Sequence, residues 1–223
     1  MVIKGVKSLL VNDQRSVRDD MSFQNKKQEN QKRFDLMKAA MECFSHKGVN
    51  ATAISEIVKR AGVGKGTFYL YFHDKYDIAE QLTLKISQDL IRNAVANVSD
   101  KIFDNLGDLS VGITEQILNQ LEENPRLLKI LNKNLSLGLY RKMSDMQGVF
   151  VEIEHVIEAF VTKAMEEENY ERDDARRLLW MLTEWIGSIA YTAIIEGDLK
   201  TMNSLKPSLY LGIRRLIDNH YIV

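Results

Sequence analysis

The stretch TAISEIVKRAGVGKGTFYLYFHDK, from Thr52 to Lys75, decides the fold of this chain. Its first half carries apolar residues at spacings of three and four: Ile54, Ile57, Val58 and Ala61. This period predicts a short amphipathic helix, with Thr52 at the position of an N-cap. Gly62 is expected to end that helix, because glycine adopts the left-handed conformation without steric cost.

A second short helix is predicted directly after a tight glycine turn. Gly64 is expected to be its N-cap, and Lys65-Gly66-Thr67 its first turn. A turn this short joins two helices at a steep angle, which is the geometry of a helix-turn-helix. An ordinary helical hairpin is the purely structural alternative.

The second helix concentrates side chains of the kind that bind DNA. Hydroxyl and ammonium groups donate hydrogen bonds to phosphates, and the N-terminal turn of a recognition helix can enter the major groove. Six such side chains alternate with Phe68, Leu70 and Phe72. They are Lys65, Thr67, Tyr69, Tyr71, His73 and Lys75. This density favours DNA binding over a merely structural hairpin.

This run, together with FDLMKAAMECFSHKGVNATA before it, resembles the DNA-binding domain of the TetR (TetR/AcrR) family of bacterial transcriptional regulators. The resemblance covers about Gln31 to Leu82. It implies an all-α protein of about nine helices, with an N-terminal three-helix helix-turn-helix DNA-binding domain and a C-terminal helical ligand-binding and dimerisation domain. The expected boundaries are a flexible arm at 1–25, the DNA-binding domain at 26–75 and the regulatory and dimerisation domain at 76–223.

The resemblance also implies which residues meet DNA. Carried over position by position, they are Thr52, Gly64, Lys65, Gly66, Thr67, Tyr69, Tyr71 and Lys75. Thr52 would offer its hydroxyl or amide to a phosphate, and Tyr69, Tyr71 and Lys75 would clamp the DNA backbone. Lys65 or Thr67 would be the most able to reach a base edge. Phe68 and Phe72 are expected in the core.

Composition and charge agree with two modules of different character. The 223 residues include only two prolines and are rich in helix-forming residues. The net charge of −1 hides an asymmetry, because residues 24–75 hold ten Lys/Arg against five Asp/Glu, whereas residues 76–223 hold sixteen against twenty-three. A basic module joined to an acidic remainder is expected when one module meets a polyanion.

No catalytic or metal-binding set is visible in the sequence. The four histidines are scattered, and the GVGKG run lacks the spacing of a phosphate-binding loop, so no metal, no cofactor and no enzyme is predicted. Cys43 is the single cysteine and is expected to be a core thiol.

No apolar run approaches the ~18 residues of a membrane span, which favours a cytoplasmic protein. Met21 is an alternative start to Met1.

Two longer helices are predicted to flank the motif. Asn30 to Lys47 carries an apolar face from Phe34 to Phe44 that is expected to pack on the helix-turn-helix, and Gly48 closes it. Asp74 can cap an unbroken amphipathic helix to about Val98. Such a helix predicts coupled rather than loosely tethered domains.

Helices are also expected at about 109–121, from Asn124-Pro125 to 134, and at 139–168. A helix from 173 or 174 to 195 is apolar over most of its circumference, so it must be buried on two sides. The last helix carries one apolar stripe: Leu205, Leu209, Ile213, Leu216 and Ile217. A partner subunit is the obvious cover for the second side. The family resemblance likewise implies a homodimer formed by the last two helices.

Flexible and aromatic side chains in the C-terminal helices suggest a pocket for a small apolar or aromatic effector. These are Met143, Met146, Phe150, Trp180, Met181, Trp185 and Tyr191, for which core or dimer surface is the alternative role. The sequence thus favours a homodimeric repressor that a small molecule releases from a near-palindromic operator. An activator, or a regulator without a ligand, is a variant of this function. A helical DNA- or protein-interaction module without promoter-specific regulation is the competing class, and an enzyme ranks last.

Overall fold

The computed structural model describes residues 20–131, 151–197 and 199–218, and the side chains of 30–131, 154–197 and 201–218. Within these ranges the chain is all-α, with no strand, which confirms the predicted fold class. The described residues form nine α-helices: α1 Asp20–Ala51, α2 Ile54–Ala61, α3 Lys65–Tyr71, α4 Lys75–Val98, α5 Leu106–Glu123, α6 Arg126–Ile130, α7 Val151–Glu168, α8 Arg172–Tyr191 and α9 Leu199–Ile217. A π-helical turn, Thr192–Glu196, follows α8.

The chain divides into two compact units. Among the described residues, 20–86 and 129–131 form the first, and 87–128, 151–197 and 199–218 form the second. Helix α4 contributes residues to both. The compact unit that holds the helix-turn-helix therefore includes residues 76–86 of α4 and residues 129–131. The functional boundary expected at Lys75 stays a prediction.

Helix α1 begins earlier than the sequence pattern indicated. It starts at Asp20, so that residues 20–25, expected within a flexible arm, are helical. The stretch from Asp20 to Asn30 contains neither glycine nor proline, and nothing in it interrupts a helix. Gly48 breaks the regular helix with φ 79° and ψ 167°, as expected.

The packed face of α1 differs from the expected one. Leu36, Ala40 and Phe44 are fully or almost fully buried, whereas Phe34 is 61% exposed. Phe34 was predicted on the packing face, and this prediction was wrong. Phe34 lies two residues before Leu36, about 200° away around the helix, and therefore lies on the opposite side of α1 from the buried residues. Cys43 is buried as expected, and that burial raises the pKa of its thiol.

In the second unit, two asparagines mark helix starts. The Asp108 amide donates to Asn105 Oδ1 at 2.8 Å, so Asn105 caps α5, which begins at Leu106 and not at about 109 as expected. Asn124 ends α5, and its carbonyl accepts from the Leu127 amide at 3.1 Å as α6 begins. The predicted helix at 139–168 is described from Val151, and its earlier part lies outside the described residues.

The apolar helix α8 ends at Tyr191 and continues as a π-helical turn, where a single α-helix to residue 195 was expected. By length and composition alone, Arg172–Glu196 could cross a membrane, since an 18-residue window has a mean hydropathy of 1.4. The helix reaches this value as an average, since Glu184 lies within every such window and interrupts the apolar run. A core or interface helix of a soluble protein has the same composition.

The stripe predicted on α9 is only partly buried. Leu209, Ile213 and Ile217 lie in the core, together with Met202. Leu205 and Leu216 are exposed, contrary to their expected place in that stripe. They lie eleven residues apart, close to three full turns, and so share one face of α9.

Candidate nucleic-acid interface

The turn between α2 and α3 has the predicted glycine geometry. Gly62 adopts φ 68° and ψ 29°, and its amide donates to the carbonyls of Lys59 and Val58. Gly64 is the N-cap of α3, in an extended conformation. The left-handed Gly62 lets the chain reverse within three residues. The helix-turn-helix predicted at Thr52 to Lys75 is thus present.

Thr52 does not play the predicted capping role. The N-cap of α2 is Ala53, which makes no side-chain capping bond. Thr52 is only 1% exposed, and its hydroxyl donates to the Gly48 carbonyl at 2.8 Å. The hydroxyl therefore ties the start of α2 to the end of α1. This geometry favours a supporting role for Thr52 over a phosphate contact by its side chain.

The inner side of α3 is fixed by two phenylalanines. Phe68 and Phe72 are buried, as predicted, and their ring centroids lie 5.6 Å apart. The Arg33 guanidinium lies 5.8 Å from the centroid of the Phe72 ring and donates to Gln81 Oε1 at 2.5 Å. These contacts attach α3 to α1 and α4, so that its outer face has a defined orientation.

The outer side of α3 presents the remaining predicted residues unevenly. Lys65, Gly66 and Tyr69 are exposed, whereas Thr67 and Tyr71 are half-buried. The exposed Tyr69 ring packs edge-on against Phe68 with centroids 5.5 Å apart, which limits its motion. The structure therefore brings these predicted DNA contacts onto one short helix.

Neither the backbone conformation nor the packing of the chain requires glycine at Gly64 or Gly66. Neither has a positive φ, and a Cβ added to either would meet nothing within 4 Å. A glycine in such a position allows another molecule to approach the backbone closely. The open space at both residues fits a surface that a large ligand contacts.

Lys75 has partners that the sequence did not reveal. Its ammonium group donates to the carbonyls of Asn50 at 2.7 Å and Thr52 at 3.2 Å, and it lies 5.4 Å from the Tyr76 ring centroid. The Tyr76 hydroxyl donates to Asn50 Oδ1 at 3.3 Å. These bonds join the start of α4 to the segment between Gly48 and α2.

Asp74 holds the first turn of α4, as predicted. Its Oδ1 accepts the amides of Tyr76 at 2.8 Å and Asp77 at 2.9 Å. The Asp77 amide is the main reason that the pKa of Asp74 lies below its usual value. The carboxylate therefore stays charged at the N-terminus of α4, where the helix dipole favours a negative group.

Two acidic groups of this unit are neutralised by ion pairs. Arg60 binds Glu42 at 2.6 Å, and its hydrogen bond lowers the pKa of that carboxyl group. Lys47 pairs with Glu56, whose pKa is lowered mainly by the hydrogen bond from Lys47. Lys65 forms no ion pair with another described residue, so its positive charge is left for an external anion.

Two exposed residues were missed as candidate contacts. Leu70 is 80% exposed on α3, and Tyr76 is exposed at the start of α4. Leu70 could have been found from the sequence, because it lies midway between Phe68 and Phe72 and must face away from them. No local pattern distinguishes Tyr76, since its exposure depends on how α4 meets the Asn50 segment.

The residues predicted to line an effector pocket are only partly visible. Met143, Met146 and Phe150 lie outside the described residues. Trp180 and Tyr191 are half-buried, whereas Met181 is 53% exposed and Trp185 is also exposed. Met181 and Trp185 thus lie on the surface of the single chain. Within the described ranges, no three His, Cys, Asp or Glu side chains form a potential metal site.

Comparison with known proteins agrees with this geometry. A family model described as "Bacterial regulatory proteins, tetR family" matches residues 36–82. The chain is 30% identical over 156 residues to the uncharacterised HTH-type transcriptional regulator YdgC of Bacillus subtilis, covering 56% of this chain and 79% of YdgC. It is 30% identical over 128 residues to the B. subtilis fatty acid metabolism regulator protein, covering 50% of this chain and 66% of that protein.

Another B. subtilis regulator, YvdT, is 36% identical over 67 residues, but the match spans only 30% of this chain and 32% of YvdT. A crystal structure of a TetR-family regulator from Shewanella sp. PV-4 superposes with a TM-score of 0.62 at 17% identity, over 84% of this chain and 96% of that one. This likeness shows the fold. Together with the helix-turn-helix and the match to YdgC, these findings establish that the chain belongs to the TetR family of DNA-binding transcriptional regulators.

Proposed function

We propose that the chain acts as a homodimeric repressor that leaves a near-palindromic operator when a small effector binds. In a dimer, two copies of α3 would enter successive major grooves ~34 to 36 Å apart. Lys65, Tyr69, Tyr71 and Lys75 would contact phosphates, and the glycines would let the backbone approach the groove. The open space around Gly64 and Gly66 supports this orientation.

The observation that carries the dimer is an uncovered apolar surface on α8 and α9. Met181 and Trp185 lie four residues apart, so they share one face of α8, and both are exposed. Leu205 and Leu216 add exposed apolar groups on one face of α9. Large exposed apolar patches mark interaction sites, and a second copy of the same two helices would cover this one.

Charge substitutions test the dimer. Met181→Asp and Leu216→Asp should convert the wild-type dimer to a monomer in light-scattering measurements at micromolar concentration, and should weaken operator binding. Ile102→Asp is the control, because Ile102 is 66% exposed in the same unit but lies outside α8 and α9. If all three variants had the same oligomeric state in light scattering, the proposed interface would be contradicted.

Selection from a random duplex pool tests the operator. The full chain should enrich a short near-palindrome, and a promoter carrying that sequence should be transcribed less when the chain is added. Salt-sensitive binding without sequence preference would contradict promoter-specific regulation, because non-specific binding is mostly electrostatic. It would favour the DNA-interaction module instead.

The effector is proposed to be a small apolar or aromatic molecule. The name of one relative, a fatty acid metabolism regulator, supports testing fatty-acyl compounds first. An effector can release DNA only if it binds the DNA-incompetent state better. Fatty acids and their thioesters, compared with neutral aromatic compounds, should lower operator affinity in an anisotropy assay. A compound that binds without changing DNA affinity would contradict release by that compound.

A further inference from the structure

Leu70 is the outermost side chain of the recognition helix α3. Successive residues turn by about 100° around a helix, so Leu70 lies about 180° from the midpoint between Phe68 and Phe72. Those two rings are buried, and Leu70 is 80% exposed, the largest exposed fraction among the exposed large apolar side chains of the described residues. The fold therefore aims an isobutyl group straight outward.

The other residue of α3 on the outward side with Leu70 is Gly66, which carries no polar side chain. Gly66 lies one turn before Leu70 on the same side, and it has neither a side chain nor a neighbour within 4 Å of an added Cβ. At about 100° per residue, Thr67 and Tyr69 lie on the two flanks of this outward side. Side-chain hydrogen bonds to a base edge are thus not available along the centre of this face.

We propose that Leu70 recognises the 5-methyl group of a thymine in each operator half-site. Thymine presents a methyl group in the major groove, and apolar side chains discriminate it there. Gly66 would let the backbone approach closely enough for the isobutyl group to touch that methyl. This inference rests on the proposed function, because it needs an operator with two half-sites.

DNA is favoured over a protein as the occupant of this face. A single exposed leucine is ordinary on a protein surface. This one, however, lies on the helix-turn-helix of a DNA-binding regulator, on the same seven-residue helix as the exposed Lys65 and Tyr69. The surrounding residues 24–75 carry ten Lys/Arg against five Asp/Glu, which suits a polyanion.

Removal of single methyl groups from the selected operator tests the proposal. Each thymine is replaced in turn by deoxyuridine, which keeps every hydrogen-bonding group and lacks only the methyl. For the wild-type chain, one position per half-site should lose about fourfold in affinity per half-site, the effect of burying one such group. Leu70→Ala should bind the thymine and deoxyuridine duplexes equally, whereas Leu70→Met should retain the discrimination.

The controls separate this proposal from the one on which it rests. Ile102→Ala removes a comparably exposed apolar side chain elsewhere, and it should discriminate as the wild type does. A palindrome that is bound equally with and without each methyl would overturn the role of Leu70 and leave the repressor intact. A methyl effect that persists in Leu70→Ala would assign the contact to another residue and also overturn it. Failure to select any palindrome would remove both proposals.

Discussion

The indole ring of Trp185 on α8 lies directly over Gly212 on α9. A Cβ added to Gly212 would clash with Cη2 of that ring and crowd Cζ3 and Cζ2. Close packing of the two C-terminal helices thus depends on a missing side chain. The same ring borders the surface through which we propose that two chains pair.

Gly212→Ala should destabilise the chain by about 1 to 3 kcal/mol, the usual effect of overpacking. Alanine normally stabilises a helix interior relative to glycine by up to ~1 kcal/mol. The clash should outweigh this gain, because the bulky indole would have to move away from Gly212 and lose its contacts with α9. Thermal and urea denaturation followed by circular dichroism would measure the change. Ser208→Ala, at an exposed position of the same helix, should change stability little, and equal stability of the two variants would contradict the packing described.

Lys206→Met should destabilise the second unit by roughly 1 to 3 kcal/mol, because it leaves a shielded carboxylate without its partner. The Lys206 ammonium lies 2.6 Å from Glu122 Oε2 and 3.2 Å from Asn119 Oδ1, and the Lys206 and Glu122 side chains are 16% and 18% exposed. Arg177→Met removes a more exposed pair with Asp174 and should change stability by less than about 0.5 kcal/mol. Urea denaturation would measure the free energy of unfolding of both variants. Equal losses of stability in Lys206→Met and Arg177→Met would refute this prediction.

Tyr210→Phe should stabilise the chain by about 1 kcal/mol, because the Tyr210 hydroxyl is buried without a hydrogen-bond partner among the described residues. Burial raises the pKa of Tyr210 to about 12, with smaller contributions from Glu115 and Glu122. The folded pKa thus exceeds the ordinary value of about 10. The tyrosine therefore contributes to a loss of stability as the pH rises from about 10 through 12, because the unfolded chain ionises first.

Phenylalanine cannot ionise, so Tyr210→Phe should lose less stability than the wild type over that pH range. Urea denaturation at neutral pH and at several alkaline values would measure both effects. An identical alkaline loss in the two proteins would show that Tyr210 is not responsible for it.

Lys75→Met should have two separable effects. Loss of the bonds to Asn50 and Thr52 should lower the stability of the first unit by about 1 to 2 kcal/mol even without DNA. Loss of a phosphate contact should weaken binding to every sequence and reduce the salt slope by about one unit. Denaturation and anisotropy at several salt concentrations would measure them. Tyr76→Phe removes only the longer bond to Asn50 and should affect stability less. An unchanged salt slope would refute the phosphate contact, and unchanged stability would refute the bracing role.

Much of the hairpin could be predicted from local sequence. Gly62, Gly64 and Asp74 take the expected turn and capping roles because a glycine dihedral or a capping carboxylate involves only a few consecutive residues. Phe68 and Phe72 were expected in the core from the family resemblance. Their burial agrees with their spacing of four, which puts them on one face of α3. The DNA-contacting roles of the neighbouring residues stay predictions.

Other assignments failed where the bend or the packing of a helix decides. Thr52 has the right residue type for an N-cap, but the kink at Gly48 brings a carbonyl within reach of its hydroxyl. Phe34 is apolar like the residues of the core, yet the buried side of α1 runs through Leu36 and Ala40 instead. No pattern within one helix contains this information.

By itself, the sequence determined the helical class, the glycine turn and the charge asymmetry, because periodicity and backbone preference act over a few residues. Tertiary structure decided which side chains are free to meet another molecule. It bound the Lys75 ammonium group to two carbonyls, and it joined Lys206 to Glu122 across 84 positions of sequence. Such contacts depend on how whole helices pack, since packing fixes the phase of each helix against its neighbours.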